Sequence, residues 1–197
     1  DAIMLDARGH GDSVRMGAGP DQDPALDLAQ AIEQLSLESP IVMGHSVGAR
    51  TTARYASLYS GKVCGVILED PPFMAQQDPS ITAGWQAGFR KQVADLRAMT
   101  AEQITAVGKK LSPTWHEDEF PAWTASKTQV DPEIRLFDPE PWQDYVARIT
   151  APTLLIYGEP GFGGIVTPEI AKAAQELNPQ IETVQLAGAG HNTRREN

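Results

Sequence analysis

The sequence predicts an α/β fold: a doubly wound, mostly parallel sheet with helices on both faces and a helical lid inserted between two strands. Three observations carry that expectation. Short aliphatic runs end in turn residues, amphipathic stretches alternate with those runs, and a block rich in tryptophan and proline between residues 72 and 150 interrupts the alternation. At 197 residues the chain is long enough for one domain with a substantial core and a modest insertion.

The strand candidates are "AIMLD" (2–6), "PIVMG" (40–44), "VCGVILE" (63–69), "APTLLIYG" (151–158) and the weaker "ETVQLAG" (182–188). None alternates cleanly between apolar and polar residues, as expected of strands covered on both faces. "DPALDLAQAIEQLSL" places Leu26, Ala29, Ile32 and Leu35 near helical spacing, with Asp23 as cap and Pro24 at the first helical position. "SVGARTTARYASLYS" follows the second run, and "TPEIAKAAQELN" follows the fourth, with Thr167 capping before Pro168. Residues 72–150 hold all four tryptophans and two helical stretches, around 85–98 and 100–111. The expected division is thus a core of residues 1–71 and 151–197 and a helical lid of 72–150.

Composition narrows the partners. With 41% hydrophobic and 21% charged residues the chain reads as globular, and no apolar run reaches membrane-spanning length, so no membrane partner is expected. A formal net charge of -10 lacks the clustered Lys and Arg of a phosphate-binding surface, which excludes nucleic acid from the expected partners. The single cysteine, Cys64, cannot form an internal disulfide and sits in an apolar run, where it reads as a buried, inert thiol of a reducing, cytoplasmic compartment. The chain opens at Asp1 without an initiator Met, directly on an apolar run, and "HNTRREN" closes it soon after a glycine-rich loop. Both ends read as cuts, so the parent chain is expected to extend beyond them.

Gly44-His45-Ser46-Val47-Gly48 matches G-x-S-x-G and lies between a strand candidate and a helix candidate, the context that gives the pattern meaning. A serine on a sharp strand-to-helix turn needs unusual backbone angles and neighbours without side chains. Gly44 and Gly48 are expected to supply that room. The same turn leaves the Val47 N–H at a helix N-terminus, where it can stabilise a developing oxyanion. A plain tight turn with an incidental serine is the competing reading.

With "GHSVG" (44–48), "DARGHGDS" (6–13) and "GAGHN" (188–192) in this order and spacing, the chain resembles the α/β-hydrolase family over nearly its whole length. The resemblance implies a nucleophile elbow at Ser46, a catalytic histidine at His191 and a loop-holding role for the motif around His10. It also implies a second oxyanion donor in a segment that would precede Asp1.

A serine hydroxyl needs a base to take its proton as it attacks. His191 follows the last strand candidate in a glycine-rich loop and matches the family's catalytic position. His45 is expected to point away into the packing of the elbow, and His116, in "WHEDEF", to be solvated. The acid is open among three carboxylates. The loop "GEPGFGGIVTPE" has no aspartate, and Glu159 follows Gly158 directly instead of at the family's usual offset. Asp70 stands in "VILEDPPF" at the tip of the strand candidate 63–69, 24 residues after Ser46, an offset that some family members use. Glu69 is its neighbour. Asp70 is the favoured acid, although an acidic residue before Pro71-Pro72 can also do no more than end a strand.

Trp85, Trp115, Trp123 and Trp142 are candidates for the walls of an apolar or aromatic substrate pocket, against the alternative that they form the lid's own small core. No phosphate loop, dinucleotide fingerprint or metal-ligand cluster appears, so neither a cofactor nor a metal is expected. The expected activity is hydrolysis of a carboxylic ester or lactone of a small apolar or aromatic molecule through an acyl-enzyme. Carbon–carbon bond hydrolysis and cofactor-free perhydrolysis use the same three residues, and a hydrolase-fold ligand receptor or interaction module with little turnover is the alternative of another class.

Overall fold

The computed structural model describes residues 1–17, 22–75, 78–136 and 140–196. Along the chain run α1 (Pro24–Gln34), β1 (Ile41–His45), α2 (Val47–Leu58), β2 (Gly65–Glu69), α3 (Pro79–Arg97), α4 (Ala101–Leu111), α5 (Glu119–Gln129), α6 (Trp142–Val146), β3 (Thr153–Tyr157), α7 (Pro168–Leu177), β4 (Ile181–Gln185) and α8 (Thr193–Glu196). They fall into two compact units, residues 23–76 with 139–197 and residues 1–22 with 77–138.

The first unit holds a four-stranded sheet in the order β1-β2-β3-β4, parallel at every pairing. Parallel neighbours need crossovers; α2 packs on β1 and β2, α7 packs on β4, and α6 packs against α2 and α7. Val66, Leu68 and Leu155 are buried, and Ala49 and Ala53 of α2 are fully covered, small enough to bring the helix close to the strands. The caps follow the sequence. Asp23 accepts from the Ala25 N–H ahead of α1, and the Thr167 hydroxyl accepts from the Ile170 N–H ahead of α7, each with proline at the first helical turn.

Several expectations are corrected here. Residues 2–6 form no strand, and Ile3, Met4 and Leu5 are exposed. A strand exists only by pairing, and this run belongs to the compact unit without the sheet. Residues 139–150, expected in the lid, belong to the sheet unit, because α6 buries Trp142, Tyr145 and Val146 in its core. Cys64 is exposed, since it lies just before β2 where the chain enters the sheet. The buried face of α1 is Ala25 and Ile32, with Leu26 and Leu35 exposed.

In the second unit α3 and α4 cover the two expected helical stretches, and α5 packs on α4. Trp115 meets Trp123 edge-on at 6.5 Å between ring centroids and stacks on Phe120 at 6.0 Å. The "RGHG" turn is held within this unit: the Asp131 N–H donates to the Gly9 carbonyl (2.6 Å), and the Arg15 guanidinium donates to the carbonyls of Gly11 (2.5 Å) and Gln129 (2.6 Å).

Candidate active site

Ser46 after β1, Asp70 after β2 and His191 in the loop after β4 come together at the C-terminal ends of the strands. Ser46 follows β1 directly, at φ 54° and ψ −124°, a conformation that costs a non-glycine residue roughly 1–3 kcal/mol. Two features hold it there. The Ser46 N–H donates to the Glu69 carbonyl on β2 (2.9 Å), and Gly44 lets the elbow close, since a Cβ on it would stand 2.2 Å from the Gly48 carbonyl oxygen. Gly48 itself faces open space, so the elbow's steric requirement rests on Gly44. Val47 opens α2, and its N–H is one of the first-turn donors without an intrahelical acceptor.

Asp70 follows β2, also at positive φ (40°), and its side chain is fully buried. The carboxylate accepts from the backbone N–H groups of Ile165 (2.9 Å) and Val166 (2.9 Å). Its Oδ2 lies 2.6 Å from His191 Nδ1, and His191 Nε2 lies 3.0 Å from Ser46 Oγ. An ionised carboxylate only accepts, so Nδ1 carries the proton. The Nε2 lone pair is thereby left facing the serine hydroxyl, the tautomer that general-base chemistry requires.

The other two carboxylates point elsewhere. Glu159 Oε1 accepts from the Gly188 N–H (2.8 Å), and the Glu159 N–H donates to the Ala189 carbonyl (2.6 Å), so this residue braces the loop that carries His191. That loop runs against β3 so closely that a Cβ on Gly158 would stand 2.0 Å from the Gly190 carbonyl oxygen. Glu69 is buried and accepts from the Thr193 hydroxyl (2.6 Å), the Arg194 N–H (3.2 Å) and the Arg194 guanidinium. Burial pushes its carboxyl up, but the bonds from Thr193 and Arg194 outweigh that and hold it below the usual carboxylate range.

His45 departs from expectation. Its Nε2 lies 2.8 Å from the His191 carbonyl oxygen and donates to it, and the two rings sit 4.6 Å apart between centroids. Burial, opposed by that hydrogen bond, holds the His45 imidazole below its ordinary value. His116 is solvent-exposed and His10 bonds its own turn, close to the Arg8 carbonyl.

The tryptophans divide. Trp142 stacks on Phe73 at 4.8 Å with the rings nearly parallel, as part of the sheet unit's core. Trp115 and Trp123 pack on each other in the second unit, and Trp85 on α3 is 45% exposed. The amides of Ile165 and Val166 and the Thr193–Arg194 contacts were not foreseen. Backbone donors have no residue signature, and nothing in "HNTRREN" marks Arg194 as facing a glutamate 125 positions away. Among the described residues no cluster of His, Cys, Asp and Glu is arranged to hold a metal ion, and no helix is long and apolar enough to cross a membrane.

Comparison with known proteins shows the fold family. A family profile described as alpha/beta hydrolase fold matches residues 1–193. An N-formylmaleamate deformylase of Pseudomonas putida is 29% identical over 97% of this chain and 72% of its own length. A non-heme chloroperoxidase of Burkholderia pyrrocinia is 28% identical over 80% of this chain and 63% of its own. Among solved structures, an E-2-(acetamidomethylene)succinate hydrolase superposes with a TM-score of 0.77 at 20% identity, covering 97% of this chain and 74% of that one. An esterase from Thermogutta terrifontis gives 0.69 at 22% identity, over 96% and 72%.

Proposed function

Because the chain belongs to the α/β-hydrolase fold family of enzymes, we propose that it is a serine hydrolase that cleaves a carboxylic ester or lactone through an acyl-enzyme, with Ser46 as nucleophile, His191 as base and Asp70 as acid. The observation that supports it above all is the unbroken line of hydrogen bonds from the Asp70 carboxylate through His191 to Ser46 Oγ, at 2.6 and 3.0 Å.

In this reading Ser46 Oγ attacks the substrate carbonyl carbon as its proton passes to His191 Nε2. The Val47 N–H stabilises the oxyanion, a contribution whose loss typically costs about 10²- to 10³-fold in rate. The imidazolium, paired with the buried Asp70 carboxylate, then gives its proton to the leaving group. Water attacks the acyl-serine with His191 as base again, releasing the acid and restoring the hydroxyl.

The likeness to an N-formylmaleamate deformylase brings a second substrate class, N-acyl compounds, into the same cycle, with nitrogen as the leaving atom. The likeness to a non-heme chloroperoxidase supports hydrogen peroxide in place of water, which would release a peracid. Each asks only for a different leaving group or a different second nucleophile.

The test is labelling by a fluorophosphonate probe, read by intact mass on the wild type and on Ser46→Ala. One adduct, absent from Ser46→Ala, is expected and opens a screen of esters, lactones and N-acyl substrates. A folded protein that takes no adduct overturns the reading in favour of a ligand-binding module.

A further inference from the structure

We propose that Glu69 is a positioning residue that sets the distance between Ser46 and His191, an inference that rests on the serine-hydrolase reading above. His191 sits in a loop and reaches the serine only if that loop is held. Glu69 touches both partners' surroundings at once. Its main-chain carbonyl accepts the Ser46 N–H (2.9 Å), fixing the elbow to the end of β2. Its buried side chain takes the Thr193 hydroxyl, the Arg194 N–H and the Arg194 guanidinium, fixing the chain two and three residues past His191.

One dipeptide does both jobs because β2 ends between its two residues. Glu69 is the last residue of β2, and Asp70 follows it at positive φ (40°); Asp70 takes the imidazole at Nδ1 while Glu69 takes the segment behind the ring. Glu69 is also in register with His45 on β1, and His45 grips the His191 carbonyl from its own side (2.8 Å). Backbone and ring of His191 are thus referenced to the ends of β1, which leads into the serine, and β2, which leads into Asp70.

A buried carboxylate is a costly way to fill space, and this one is kept ionised by the donors it gathers. Thr193, itself buried, contributes its hydroxyl to this carboxylate and gives the anchor a part that can be removed without changing side-chain volume much. Placement errors near 1 Å at a reacting pair cost about 10²-fold in rate, which sets the scale expected for loss of the anchor.

The experiment compares wild type, Glu69→Gln, Thr193→Val and Thr193→Ser by the rate of fluorophosphonate labelling and by the downfield proton resonance of the His191 Nδ1–H bonded to Asp70. Expected are a fall of about 10²-fold for Glu69→Gln, about tenfold for Thr193→Val and little change for Thr193→Ser, on the scale of such misplacement. The Nδ1 proton should broaden in the first two variants and stay sharp in the third. Should Glu69→Gln fail to fold, the Thr193 pair decides alone, since valine keeps the shape and serine keeps the hydroxyl. Wild-type labelling and a sharp resonance in Thr193→Val would overturn the proposal while leaving the hydrolase reading intact. An unlabelled wild type would sink that reading, and the response of the resonance would still decide whether Glu69 holds His191.

Discussion

Ser46 and Asp70 both occupy positive φ without being glycine, and each directly follows the last residue of a strand. Such strain persists only where the surroundings over-determine it. Here Ser46 is fixed by the Glu69 carbonyl and Asp70 by the Ile156 carbonyl below it and two amides around its carboxylate. The proposed acid role of Asp70 rests on its bond to His191 (2.6 Å) and predicts a ranking. Asp70→Asn, which removes the charge and favours the wrong tautomer, should lower kcat by about 10³- to 10⁴-fold. Glu159→Gln keeps an acceptor for the Gly188 N–H and should leave kcat near wild type; steady-state kinetics on an activated ester would reverse the assignment if the ranking reversed. Gly44→Ala belongs to the same scale. Its methyl would stand 2.2 Å from a backbone oxygen, with no flexible side chain to yield, so the urea midpoint should drop by an amount worth more than about 2 kcal/mol.

At the scale of elements, the start of α7 matters to the site because Ile165 and Val166, whose amides hold Asp70, immediately precede its cap. Thr167→Ala removes the hydroxyl that accepts from Ile170 and should cost about 1 kcal/mol in chemical unfolding, while Thr167→Ser stays close to wild type. The cap, its proline and the strand before it were all legible in the sequence, as were β1, β2 and β4, because each is a local pattern. What was not legible depended on distant partners. Residues 2–6 have the composition of a strand and no ladder. The helix α5 carries Pro121 in its first turn and buries only Phe120 and Thr124, which leaves little helical period to read. Trp142 sits in a proline-rich stretch of unremarkable sequence and becomes core by stacking on Phe73, 69 residues earlier. Of the candidate triad, Ser46 and His191 stood in motifs that the resemblance singles out, and the 24-residue offset favoured Asp70. No local pattern weighs Asp70 against Glu69 and Glu159, because the contacts that separate them, Asp70 with His191, Glu69 with Thr193 and Arg194, and Glu159 with Gly188, join residues far apart in the chain.

Across the whole molecule, 26 acidic side chains against 16 basic ones place the isoelectric point near 4.8, so acidification towards that value removes the net negative charge. Two groups at the site tie folding to that same range. The imidazole of His45 is held below its ordinary value by burial near His191 and Arg194, so the unfolded chain binds its proton first, and stability falls as pH drops below about 6.5. The carboxyl of Glu69 is held low by Thr193 and Arg194, so its contribution is complete above about pH 4.3 and is lost as pH falls through the lower value it has in the fold. Both effects have the same sign. Melting temperature should therefore decline on acidification in two stages, the first flattened in His45→Gln and the second in Glu69→Gln. Differential scanning fluorimetry at several pH values would measure it, and three parallel curves would show that the acid sensitivity lies in other groups.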